Sequence, residues 1–329
     1  MNELLNYMSN KRIKLTNNKF FLEKWHNLYP ESFNNIINFN TSGINTFIRS
    51  NPIKINFPSL KDMLREKGTI IEEIINLPNA GIVNKSKISI GSTHEYLKGF
   101  YSVQGLASQI PVRLFDISKR LDDNDIDLRA LDMTSAPGNK CSQLAHLLQN
   151  KYPIIALEIS ENRINKLNAN IRRLGIENVL ILKSNASSIV PRLGLFSHIL
   201  LDAPCTGSGS ICRDPVKNSN WSPSKENIQK LIEQQKDLLI KGLEALKSGG
   251  ELIYSTCSIE PEENEDVIAF ALNKLHNYEI IDLSNFKNEY KSFSVFGNIY
   301  NDMLKDKCLR FLPSEQHEGF FICKLKKGN

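Results

Sequence analysis

Leu128-Arg129-Ala130-Leu131-Asp132-Met133, running into Thr134-Ser135-Ala136-Pro137-Gly138-Asn139-Lys140, is the stretch on which the fold turns. A short apolar run of strand length meets a Pro-Gly turn, and a helical pattern over 141–149 follows. The same rhythm then repeats. A strand over 154–157 ends in Glu158 and a helix covers 161–174. A strand over 179–182 precedes Asn185-Ala186, and one over 198–201 ends in Asp202. A long helix over 224–246, a strand over 251–254 ending in Thr256-Cys257, and a helix over 263–275 complete the series. Residues 308–312 and 319–325 read as a closing antiparallel hairpin. Strands alternating with helices predict an α/β fold, a mostly parallel sheet covered on both faces. Ligands in such sheets bind beyond the carboxyl ends of the strands, where the residues singled out below lie.

Upstream the pattern is different. Residues 1–40 carry Phe20, Phe21, Trp25 and Leu28 at helical spacing, which predicts one or two amphipathic helices with the aromatics in a core. Residues 45–51 read as a strand, and 58–66 as a helix with Ser59 as its cap and Gly68 as its stop. Apolar pieces at 70–75 and 87–90 read as further strands, and 106–118 as a helix. The division expected is a helical and small α+β region over 1–95 and a larger α/β domain over 96–329. The first region holds Arg49, Lys54, Lys61, Arg65, Lys67, Lys85 and Lys87, a solvated basic face or a phosphate-contacting one.

The bulk properties narrow the class. At 329 residues the chain is long enough for a large core, and 41% hydrophobic with 23% charged residues is ordinary for a globular protein. No apolar run reaches the roughly 18 residues of a membrane span. The first residues lack an apolar core with a small-residue cleavage site, so no signal peptide is expected. Six scattered cysteines without a C-x-x-C pair argue against a zinc centre or a disulfide scaffold and for reduced thiols in the cytoplasm. The net charge of +5 is compatible with a polyanionic partner. A monomer without metal or membrane contact is expected.

The turn Ala136-Pro137-Gly138-Asn139-Lys140 has one glycine, so it is neither a dinucleotide-binding G-x-G-x-x-G nor a phosphate loop. Glu158, however, ends the next strand twenty positions after Gly138, where an acid can accept hydrogen bonds from both ribose hydroxyls. A capping carboxylate would look the same. A nucleoside-binding acid without a phosphate cradle fits S-adenosylmethionine better than NAD or ATP, because its amino-acid end needs backbone N–H groups rather than several lysines. Cys205 in Asp202-Ala203-Pro204-Cys205 and Cys257 in Tyr254-Ser255-Thr256-Cys257-Ser258 end two parallel strands and are aimed at one crevice. Cys141, Cys308 and Cys323 read as small buried hydrophobes, and Cys212 is open to either reading.

These stretches, together with Thr206-Gly207-Ser208-Gly209 and Glu262-Glu263-Asn264-Glu265, closely resemble the Sun/Fmu (RsmB/NSUN-type) RNA cytosine-carbon-5 methyltransferases. Tyr96-Leu97-Lys98-Gly99-Phe100-Tyr101-Ser102-Val103-Gln104 is similar to that family's lead-in segment. Phe47-Ile48-Arg49-Ser50-Asn51 resembles the start of its RNA-recognition-like module, and Glu318-Gly319-Phe320-Phe321-Ile322 its closing strand. The resemblance covers about residues 44–329. It implies a Rossmann-like class I S-adenosylmethionine-dependent methyltransferase domain, with the small α+β region positioning RNA. Residue by residue, it implies that Thr134, Ser135, Ala136, Pro137, Gly138, Asn139 and Lys140 hold the methionine part of the cofactor. Glu158 takes the ribose, Asn185 stands beside the adenine, and Arg163 lies on the cofactor-side helix. Asp202 lies near both cofactor and cytosine, Cys257 is the nucleophile and Cys205 aids product release. Asn139 departs from the usual second glycine, and Asn185 from the usual Asp.

The chemistry explains these residue types. Carbon 5 of cytosine is a poor nucleophile, and a thiolate added at carbon 6 makes it enamine-like; thiolate then also serves as leaving group. Asp202 can answer the charge that builds at N3, and Cys205 or a water can take the carbon-5 proton. Lys140 could favour a thiolate or bind a backbone carbonyl. The loop 206–219, with Arg213 and Lys217, is expected to cover a base that must leave its stack. Ribosomal RNA is favoured over tRNA because no additional RNA-binding domain is inserted. The competing readings are a non-catalytic RNA-binding assembly factor on the same fold, and a DNA cytosine methyltransferase, which would use the cysteine after Pro204 as nucleophile.

Overall fold

The computed structural model describes residues 19–42, 45–117, 121, 127–211, 221–290, 304, 307–314 and 317–329. The acidic loop 122–126 and most of the loop after Cys205, with Cys212, Arg213 and Lys217, lie outside the described residues.

The described residues begin with two helices, α1 (Lys19–Leu28) and α2 (Phe33–Ser42). A small antiparallel sheet follows, built from β1 (Thr46–Ser50), β2 (Ile70–Glu73), β3 (Ala80–Lys85) and β4 (Tyr101–Val103) in the order β2-β3-β1-β4. Helix α3 (Phe57–Glu66) lies between β1 and β2 and packs Phe57, Leu60 and Leu64 against Ile48, Ile71 and Tyr101. Its cap is Asn56, not Ser59: Asn56 Oδ1 accepts the Ser59 N–H at 2.9 Å. Pro58, which has no N–H to satisfy, belongs inside the first turn, so the cap moves upstream of it. The expected strand at 87–90 is instead β3, whose Ala80-Gly81 and Asn84-Lys85 ends lack the β-branched density that flags a strand. The helix expected over 106–118 is only a 3₁₀ turn, Ala107–Gln109, and four residues, Ile110–Arg113. The chain then tightens, with Leu114 N–H reaching Pro111 O at 3.1 Å.

The large sheet has the strands β5 (Ala130–Asp132), β6 (Ile154–Glu158), β7 (Val179–Lys183), β8 (Phe196–Asp202), β9 (Leu246–Thr256), β10 (Tyr278–Ile281), β11 (Leu309–Phe311) and β12 (Phe320–Lys327). The order is β10-β12-β9-β8-β5-β6-β7, with β11 paired to β12. β7, β6, β5, β8 and β9 are parallel, and β12 runs antiparallel between β9 and β10. β8 and the second half of β9 are buried throughout, apart from Asp202, because helices cover both faces. Those helices include α4 (Asn139–Leu147), α5 (Glu161–Leu174), α6 (Lys225–Glu244) and α7 (Glu265–Lys274). β10, Tyr-Glu-Ile-Ile, carries no distinct strand pattern and owes its state to pairing with β12.

The first two helices dock on the large domain. Phe21, Trp25, Tyr29, Phe33, Ile36 and Ile37 are buried against Ile211, Ile259 and Leu312. Burying side chains of that size is worth about 1.5–3 kcal/mol each. The aromatics at helical spacing are therefore core, with Phe20 the exposed exception at 49%. Among the described residues no helix is long and apolar enough to cross a membrane.

Candidate functional site

The sheet order reverses between β5 and β8, and the cleft opens beyond the carboxyl ends of those strands. The turn after β5 folds back onto the sheet. Ser135 N–H donates to Leu157 O and the Ser135 hydroxyl to Asp132 O, both at 2.9 Å. The Ala136–Pro137 peptide is cis, and Gly138, at φ +104°, turns the chain into α4. That φ strains any side-chain-bearing residue. From outside, Arg163 Nη2 donates to Ala136 O at 2.7 Å and Asn170 Nδ2 to Pro137 O at 2.9 Å. The Asn139 amide reaches Val103 O on β4 at 3.3 Å, so the residue replacing the second glycine ties the turn to the small sheet.

Glu158 is buried at the end of β6. Its Oε1 accepts the N–H groups of Ile159 and Ser160, each at 2.9 Å. Arg163 Nη1 lies 3.1 Å from Oε2 as an ion pair, yet Oε2 receives no hydrogen bond. One oxygen thus holds the two N–H groups that lead into α5, and the other receives no hydrogen bond. Asn185 Oδ1 accepts the Ser187 N–H at 3.0 Å and caps the next short helix. Glu158, Arg163 and Asn185 line a cavity of about 120 Å³. A second cavity, of about 240 Å³, is lined by Asp132, Lys140, Cys257, Glu318 and Phe320, and Thr134 and Asp202 belong to both.

Asp202 ends β8 in a firm hold. Lys140 Nζ lies 2.7 Å from Oδ2, and the Ser255 hydroxyl donates to Oδ1 at 2.8 Å. Its carbonyl accepts the Thr134 hydroxyl at 2.8 Å. Lys140 therefore pairs with a carboxylate rather than a backbone carbonyl, and its charge also favours a thiolate at Cys257. Cys205 and Cys257 are half-buried, with their sulfurs 3.3 Å apart. They are not equivalent. The contact with Cys205 pulls the Cys257 thiol down, helped by Ser210 and Lys140 against burial and Asp202. The same contact, burial and the charge of Glu263 push Cys205 up. Gly209 N–H donates to Cys257 O at 3.0 Å and Gly209 O accepts from Gly319 N at 2.7 Å. A Cβ on Gly209 would stand 2.4 Å from Gly319 O, so only glycine lets the two segments close. Cys141, Cys308 and Cys323 are buried.

Sequence reasoning assigns no role to Asp132, Ser255 or Glu263, and leaves Arg49 as a surface charge. Asp132 is 1% exposed, and its Oδ2 has no donor; burial, with the charge of Asp202, pushes its pKa up to about 7 against the bond from Thr134 N–H. An acid ending the first strand of a βα series is the signal for it. Arg49 is buried between the small sheet and α4, bonded to Gln104 at 2.8 Å, Ser142 at 2.9 Å and Asn139 O at 3.1 Å. Glu260 and Glu262 hold Lys24, and Glu260 accepts Trp25 Nε1 at 2.7 Å, which brings α1 to the segment after Cys257. These contacts are set by tertiary packing and leave no periodic trace.

Comparison with known proteins agrees with this geometry. The family model described as "16S rRNA methyltransferase RsmB/F" matches residues 119–326. A "Methyltransferase Homolog Protein" from Pyrococcus horikoshii superposes with a TM-score of 0.80 at 31% identity, covering 98% of this chain and 99% of that one. A mouse "28S rRNA (cytosine-C(5))-methyltransferase" is 33% identical over 85% of this chain and 35% of its own length. "Ribosomal RNA small subunit methyltransferase F" of Shewanella piezotolerans is 30% identical over 88% of this chain and 59% of its own length. The chain thus spans about a third of the mouse relative and about three fifths of the bacterial one. With the strand order and the paired cysteines at the cleft, these matches show that the chain has the Rossmann-like methyltransferase fold and belongs to the RsmB/F (Sun/Fmu) family of RNA methyltransferases.

Proposed function

We propose that the chain transfers a methyl group from S-adenosylmethionine to carbon 5 of a cytosine in RNA, with Cys257 as nucleophile and Cys205 aiding release. The observation that carries this reading is the thiol pair, 3.3 Å apart, with Cys257 facing a cavity that adjoins the one lined by Glu158 and Asn185.

The residues fit the cofactor. Glu158 Oε2 and Asp132 Oδ2 are buried carboxylate oxygens without hydrogen bonds, and they suit the hydroxyls of a ribose and the ammonium of an amino acid. Asn185 would face the adenine, and Thr134 to Lys140 the methionine end. When bound, the cofactor supplies an electrophilic methyl group on a sulfonium. The work of the chain's own residues is then definable. Cys257 thiolate adds to carbon 6, and the displaced electron pair makes carbon 5 nucleophilic. The Lys140 cation, held by Asp202, offsets the negative charge at N3. After methylation a base takes the carbon-5 proton, the C6–S bond breaks and the electron pair returns to sulfur. Cys205 lies beside that sulfur, where it can orient a water to take the proton.

Ribosomal RNA is the favoured substrate, because the similar proteins from mouse and Shewanella carry rRNA in their names. The small sheet would position the RNA. The test is incubation of purified protein with rRNA-containing particles, tRNA and a methyl-labelled cofactor, read by bisulfite sequencing. Label at a cytosine of rRNA supports the proposal; label in tRNA alone corrects the substrate. RNA binding without any label points to the assembly-factor reading. Cys205→Ala should accumulate a covalent RNA adduct through Cys257; an adduct formed by Cys257→Ala instead reverses the two roles.

A further inference from the structure

Cys205 and Cys257 are 52 positions apart, their sulfurs at 3.3 Å, each in irregular chain just beyond a strand. Pairing of β8 with β9 brings the two strand ends together, as far as Asp202 opposite Ser255 and Ala203 N–H on Ser255 O at 2.8 Å, but it stops short of the cysteines. Beyond that point one buried carboxylate bridges the two segments. Glu263 Oε1 accepts the Thr206 N–H at 2.8 Å, and Oε2 accepts the Thr206 hydroxyl at 2.6 Å and the Ser258 hydroxyl. Thr206 follows Cys205, and Ser258 follows Cys257. Gln235 on α6 donates to Glu263 Oε1 at 3.0 Å and to Pro204 O at 2.7 Å, fixing the residue before Cys205 to the same point. The Glu263 carbonyl accepts the Tyr254 hydroxyl at 2.6 Å, which anchors the acid itself to β9. Glu263 is fully buried, so these bonds are made out of reach of water.

We infer that Glu263 is a positioning residue which, through Thr206 and Ser258, sets both the spacing and the division of roles between Cys205 and Cys257. This rests on the reading of the two cysteines as reacting thiols. The charge distribution runs the same way. The titratable groups facing Cys205 are Cys257, Glu263 and Tyr254; those facing Cys257 are Cys205, Asp202 and Lys140. The Glu263 carboxylate disfavours a second anion at Cys205. Lys140 stands on the Cys257 side.

Glu263→Gln separates charge from shape. With its NH₂ turned toward the Thr206 and Ser258 hydroxyls, which can accept, the amide still takes the Thr206 N–H, so the variant is expected to fold. Iodoacetamide labelling across pH, read for each cysteine by peptide mass spectrometry, is the primary measurement. In the wild type Cys257 should label faster than Cys205. Without the carboxylate charge the Cys205 thiol ionises more readily, so Glu263→Gln should raise Cys205 labelling about tenfold relative to Cys257. Thr206→Val, which loses the hydroxyl's bonds to Glu263 and Ser258, should shift the ratio in the same direction by less. In methyl transfer, Glu263→Gln should lower kcat by about 10- to 100-fold with KM for the methyl donor unchanged, as expected for misplaced reacting groups. An unchanged labelling ratio in both variants overturns the inference. So does a kcat loss matched by equal losses in donor affinity and melting temperature. Should the wild type methylate no RNA, the proposed function fails, while the labelling ratio still decides the role of Glu263.

Discussion

The two sides of the cleft are built by different means. On the side proposed for the cofactor, each group lies at or just beyond a strand end in one parallel series: Asp132 and the turn after β5, Glu158 at the end of β6, Asn185 after β7. Their supports are near neighbours, such as Arg163 under the turn and the Ile159 and Ser160 N–H groups on Glu158. On the thiol side, the strand ends are only the starting points. Cys205 and Cys257 are held by Glu263, by Gln235 on α6 and by Trp221, whose indole donates to Thr206 O at 2.9 Å. Repeated topology places a small ligand; a buried polar network places a reaction. The cofactor side also keeps carboxylate oxygens without donors, whereas Glu263 has both oxygens bonded.

That contrast can be broken at several points. Cys257→Ala should abolish methyl transfer, by at least about 10⁴-fold in kcat, while calorimetric affinity for S-adenosylhomocysteine stays at the wild-type value. Arg310→Met should cost about 3–5 kcal/mol of stability in urea unfolding, because it leaves Glu265 buried without its cation. Asp132 makes a prediction about pH. Its pKa is raised from 3.8 to about 7, so between those values the native state keeps a proton that the unfolded chain has released. Native stability from this group is therefore greatest at the acid end of the window. It falls as pH rises through the window, by up to about 1.4 kcal/mol for each step of one in pH. Asp132→Asn should flatten that slope in unfolding experiments from pH 4 to 7; an identical slope would remove Asp132 as its cause. Glu158→Ala should weaken cofactor affinity by about 1.5–3 kcal/mol and leave iodoacetamide labelling of Cys257 unaltered. Trp221→Phe should show the smallest change, about 1 kcal/mol of stability, with cofactor affinity retained.

The same contrast governs how much can be read from the chain. Helix α5 is legible to the residue, since its Ile164, Leu167, Ile171 and Leu174 keep a 3.6-residue period and Gly175 closes it. The parallel strands are legible as apolar runs, though β9 extends five residues upstream of its apolar core, through Gly249 and Gly250. β3 and β10 escape sequence reading because their strand state comes from pairing rather than composition. The pairing of Lys140 with Asp202 and the burial of Arg49 between sheet and helix depend on residues 62 and 90 positions apart, and no local pattern encodes them. Motif resemblance brings the two cysteines together; it does not say what spaces them.

Tyr29 also has a consequence for how the molecule is made. Its hydroxyl donates to Ile259 O at 2.6 Å and meets Arg310, 281 positions further along the chain. Arg310 donates to the same Ile259 carbonyl at 3.0 Å. A chain emerging from the ribosome can form the βα series strand by strand, but this clasp must wait until residue 310 has been synthesised. Loop closure over such a span is slow compared with local helix and strand formation. The segment just after Cys257 thus gains its last restraint, the clasp on the Ile259 carbonyl, only when nearly the whole described fold has been synthesised.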